Sequence, residues 1–94
     1  MEWFEAPEVE EVDAVYKKLS AVRGSIVLAR RELQKRDDEL KAEYPRKPEL
    51  RRQQTESLYD KLAQLEVAEI EAQQEVEFMN VRLKMFQTYM YRKM

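Results

Sequence analysis

The side chains with chemistry to offer in this sequence are carboxylates and cations. Glu66, Glu69, Glu71 and Glu75 fall within about three helical turns of one another, a density of carboxylates that invites comparison with di-metal helical bundles. Those centres also need Glu-x-x-His ligand pairs, and the 94 residues contain no His and no Cys. That absence also removes the commonest general base, thiolate nucleophiles and disulfides. A single Gly leaves no glycine-rich loop to cradle a nucleotide. The four carboxylates therefore read as solvated or register-setting groups, and no catalytic residue, metal or cofactor is expected. The second cluster is cationic. Arg46, Lys47, Arg51 and Arg52 crowd what reads as a helix start, where the dipole disfavours positive charge. Exposed N–H groups combined with Arg and Lys suit a phosphate or a carboxylate patch, so these four are the candidate anion-binding residues. A solvated turn that merely tolerates them is the simpler reading. Pro45-Arg46-Lys47-Pro48 also fits P-x-x-P formally, but a helix connector explains it better.

The elements that carry these groups follow from composition and from the prolines. Charged residues make up 38% of the chain, in a Glu, Lys, Arg, Gln, Leu and Ala background that offers strands little material. The class is all-α, in one domain over 1–94. Pro7 suits the first turn of a helix. Pro45 and Pro48 push Tyr44 and Lys47 out of the α region, which predicts helices over about 7–43 and 48–93 and a connector over 44–47. At 1.5 Å per residue the two helices are roughly 55 and 70 Å long.

Helices of that length need a sustained seam, and one can be counted. Positions 12, 15, 19, 22, 26, 29, 33, 36 and 40 are apolar except for Arg36. Positions 55, 58, 62, 65, 69, 72, 76, 79, 83, 86 and 90 are apolar except for Thr55 and Glu69. Alternating steps of three and four over several heptads predict coiled-coil-like packing. Gly24 lies in the first helix without disturbing the phase of the repeat, so a continuous helix is expected there, with a small side chain open to close approach.

A short connector makes the helices antiparallel, and a turn centred near residue 46 sets residue i against about 92 − i. In that register Glu69 faces Arg23, and Arg36 faces Glu56. It also sets Trp3 and Phe4 near Phe86, Tyr89 and Met90. The second helix carries more apolar surface than one partner covers. Val67, Ile70, Phe78, Val81 and Met85 form a further stripe that points away from the seam, with Met79, Met85, Met90 and Met94 as adaptable neighbours. These five residues are the expected partner-binding face. A lone hairpin also lacks core for its length, which predicts a larger helical bundle.

Charge is distributed unevenly along the chain. Residues 53–77 carry seven acids and one base, whereas 78–94 carry four bases and no acid; the whole chain has net charge −2. Two functional classes fit. One is a non-enzymatic adaptor or structural assembly protein that self-associates as a homo-oligomer, docks on another protein, or does both. The other is a nucleic-acid accessory protein using the basic connector and the basic, tyrosine-bearing C-terminal end. Net negative charge and the acidic stretch in the second helix repel a long phosphate backbone, which favours the first class. No apolar run reaches the roughly 20 residues of a membrane span and the acidic start lacks a basic leader, so a cytoplasmic, membrane-free setting is expected.

Overall fold

The computed structural model describes residues 6–93, which form two long helices joined by one turn. Helix α1 spans Val9–Glu43 and helix α2 spans Pro48–Lys93, with no strand among the described residues. The fold is an all-α antiparallel hairpin, as the sequence pattern predicts. Its Cα extents are 71 × 17 × 15 Å, so α2 alone sets the length.

Both prolines of the connector act as expected. Tyr44 and Lys47 are non-helical, and Pro48 opens α2 at a position where its missing N–H costs nothing. The Tyr44 N–H donates to the Leu40 carbonyl at 2.7 Å, closing α1. The other end differs from expectation, because α1 begins at Val9 and Pro7 precedes its N-cap. Glu8 is the cap, extended at φ −68° and ψ 151°, and its N–H donates to the Glu11 carboxylate at 3.2 Å. That reciprocal acidic cap competes with the proline signal and sets the boundary.

All nine seam positions of α1 are buried or half-buried. Ten of the eleven in α2 are as well; Met90 is the exception, at 41% exposed. The aromatic closure expected around Trp3 and Phe4 lies outside the described residues. Leu19, Ala72 and Val76 form a buried cluster across the seam, with Val15 packed on it. Burying a side chain such as Leu19 or Val76 contributes about 1.5–3 kcal/mol, more than an exposed ion pair supplies. The seam therefore holds the hairpin. Thr55, the polar seam residue near the turn, is buried, and its hydroxyl donates to the Arg51 carbonyl at 3.0 Å within its own helix. Helix α1 runs unbroken through Gly24, whose missing Cβ would meet nothing within 4 Å. No close approach among the described residues requires that glycine.

Candidate docking surface

Cross-helix side-chain pairs fix the register from which the outer faces follow. Arg23 Nε lies 3.4 Å from Glu69 Oε2, and Arg23 Nη2 donates to Gln73 Oε1 at 3.0 Å, one turn further along α2. Lys18 pairs with Glu75 at 2.9 Å, Arg30 with Glu66 at 3.8 Å, Lys61 with Glu32 at 3.6 Å and Arg82 with Glu11 at 3.9 Å. Tyr16 donates its hydroxyl to Asn80 Oδ1 at 2.9 Å. In every one of these pairs the two residue numbers add to between 92 and 96. The expected sum of about 92 and the expected Arg23–Glu69 pair are both present.

Three of the four clustered carboxylates are thus engaged with cations of α1: Glu66 with Arg30, Glu69 with Arg23 and Glu75 with Lys18. Among the described residues no group of three or more acidic side chains is placed to hold a metal ion. The hydrogen bond and charge of Glu75 hold the Lys18 ammonium above its ordinary pKa. The second expected seam pair does not form. Arg36 Nη1 lies 3.3 Å from Glu39 Oε2, one turn away in its own helix, while Glu56 is exposed on α2. The register places Glu56 at the right height, but it follows the seam residue Thr55 by about 100° of helix rotation and points outward.

The second apolar stripe lies where the heptad arithmetic puts it. Val67, Ile70, Phe78, Val81 and Met85 are 40–58% exposed, on the side of α2 turned away from α1. From Val67 to Met85 the stripe is about 27 Å long. Its C-terminal end opens into a concavity of about 420 Å³ lined by Val81, Lys84, Met85, Thr88, Tyr89 and Arg92. Lys84, Thr88 and Arg92 were not part of the sequence expectation for this face, though steps of three and four from Val81 reach 85, 88 and 92. Met79 is buried in the seam at 5% exposure, as its place in the three-four repeat predicts, and so does not contribute to the outer face; Met94 lies outside the described residues. Helix α1 has no comparable stripe: its exposed large apolar side chains, Val9, Tyr16, Val27 and Leu28, are scattered.

The four candidate anion-binding residues are only partly brought together. Arg51 and Arg52 line a recess of about 390 Å³ with Asp37, Lys41, Pro48, Thr55 and Tyr59. Arg46 and Lys47 sit exposed in the turn and do not line it. Lys41 joins the cations, but Asp37 Oδ2 lies 3.0 Å from its Nζ. The recess therefore carries a carboxylate of its own, which opposes a bound anion. No helix among the described residues is long and apolar enough to cross a membrane. The chain matches no protein-family model, no curated protein and no solved structure.

Proposed function

We propose that this protein is a non-enzymatic helical-hairpin adaptor or structural assembly subunit that works through the outer apolar face of α2. The observation that carries the reading is the exposure of Val67, Ile70, Phe78, Val81 and Met85 on one side of α2 opposite the seam, in two apolar groups with Gln74 between them. Scattered apolar residues on a surface need no explanation, but five large ones aligned on one helix face do. Surface area supports the same reading. The chain exposes 7716 Å², against about 5,800 Å² for a compact monomer of its mass. The difference, about 1,900 Å² on one chain, reflects the rod shape and is roughly twice the 800 Å² or so that a standard interface takes from each partner.

A second reading, nucleic-acid accessory protein, draws on the recess lined by Arg51, Arg52 and Lys41. It is weaker because the net charge is −2 and residues 53–77 carry seven acids against one base. The primary reading is tested by Phe78→Lys together with Val81→Lys. Both side chains are exposed, so helicity by circular dichroism should stay essentially unchanged, while self-association or capture of a specific partner is lost. Wild-type protein that is monomeric and captures nothing the double variant fails to capture removes the reading.

A further inference from the structure

We infer that the occupant of the outer face of α2 is the same face of a second copy of this chain, packed antiparallel. This rests on the docking reading above and names its partner. Among the described residues, the only extended apolar stripe this molecule offers as a complement to Val67–Met85 is the stripe itself, since α1 shows only scattered apolar side chains outward. Matching the two ends of the stripe, Val67 against Met85 of the second copy and Ile70 against Val81, requires residue numbers that add to about 152. That register is set by apolar residues alone.

The charges, which played no part in choosing it, then agree with it. Asp60 comes opposite Arg92 of the second copy, and Glu66, which also pairs with Arg30 of its own chain, lies two residues from the level of Lys84, each pair occurring twice by the two-fold symmetry. Glu66 and Lys84 lie on the same flank of the stripe, and an antiparallel pairing brings like flanks together. A parallel, in-register pairing brings opposite flanks together instead and sets Asp60 and Arg92, near the midline of the stripe, each close to its own copy. It also sets the acidic stretch 53–77 on itself and the basic stretch 78–94 on itself. Antiparallel packing turns that polarity into attraction. Glu77, close to the centre of the pairing, is the group that meets its own copy unfavourably.

The stripe lies diametrically across α2 from the seam, so the product is a flat layer of four helices, α1–α2–α2–α1, with the two α2 helices in the middle. A square bundle would need the second apolar face about 90° from the first. Each α2 is then covered on two opposite sides, and its apolar surface is accounted for.

The absence of native cysteine allows single-site spin labelling of the full chain. A label at Gln74→Cys, near the centre of the stripe, should give a short separation between copies, close to an interhelical distance of about 10 Å plus the linkers. A label at Thr88→Cys should give a long one, because position 88 lies about 36 Å along the axis from its copy in this register. Sedimentation at high micromolar concentration should give a dimer mass. Lys84→Glu with Arg92→Glu, and separately Asp60→Lys with Glu66→Lys, should each weaken the dimer about tenfold or more. Mixing the two variants should restore it, because every cross pair is again complementary. Glu77→Gln should tighten it. Short separations at both labels show parallel packing and overturn the proposal, as does charge-reversed protein that dimerises like wild type. A monomeric wild type also overturns it, and the docking reading is then decided separately by the partner-capture comparison of the Phe78→Lys, Val81→Lys variant.

Discussion

Gly24 has a helical conformation that any residue adopts, with no positive φ and no neighbour within reach of an added Cβ. Replacing it with Ala should therefore stabilise the hairpin by about 0.5–1 kcal/mol, through helix propensity and a less flexible unfolded chain. Urea denaturation measures this directly, and a loss of stability would mean that the glycine is needed for a contact outside the chain. Lys18 gives a second test. Its ammonium is held above its ordinary pKa, first by the hydrogen bond it donates to Glu75 and then by that carboxylate's charge. A group whose pKa is raised on folding contributes stability that is fully present below its unfolded value, about 10.4 for lysine, and is lost as pH rises through the folded value. Wild-type thermal midpoints should consequently fall more steeply than those of Lys18→Gln in that alkaline window, and the two should run parallel near neutrality. Because both side chains are about half exposed, the effect is small and fades with added salt.

Helices are the scale at which charge sets register. Arg23 contacts both Glu69 and Gln73, bridging one turn of α2, so reversing Glu69 to Arg should destabilise the hairpin by about 1 kcal/mol. Reversing Arg23 to Glu as well should recover part of the loss, and chemical denaturation of the four proteins in the cycle reads the coupling. Zero coupling would show that the apolar seam alone holds the register. This register was legible beforehand because the three-four repeat and a proline-bounded turn leave one antiparallel alignment. The flanking pairs were less so. A sum of residue numbers gives the height at which two side chains meet, but not the direction in which each points. Glu56 was therefore assigned to Arg36 although it lies one residue past the seam, and Arg36 found Glu39 instead. The start of α1 was misplaced for a related reason. Proline and an acidic cap both mark helix starts, and the Glu8–Glu11 contact outranked Pro7. The outer stripe was readable as a set of positions, while its continuation through Lys84, Thr88 and Arg92 depended on polar residues that a search for apolar periodicity skips.

Seen whole, the molecule is a rod with a basic tip and a long apolar flank, and the tip can be tested independently of the flank. Changing Arg46, Lys47, Arg51 and Arg52 to Gln removes cations from the start of α2, where the dipole opposes them, so stability should hold or rise slightly. If the tip binds DNA or RNA, wild-type affinity falls steeply with salt and the four-site variant loses both affinity and much of that slope. The adaptor reading expects weak or absent binding at about 0.15 M salt, measured by fluorescence anisotropy. The turn at the same tip also governs how the rod comes together. Each seam layer sits one step further from the turn than the layer before it, so each closes a loop only slightly longer than one already closed. The entropy of closure then rises by small increments instead of as one large cost. Such a molecule assembles as a zipper that starts at the connector, with its most distant layers last to form and first to open. Shortening both helices by matching heptads from the open end should give a shorter rod of the same register.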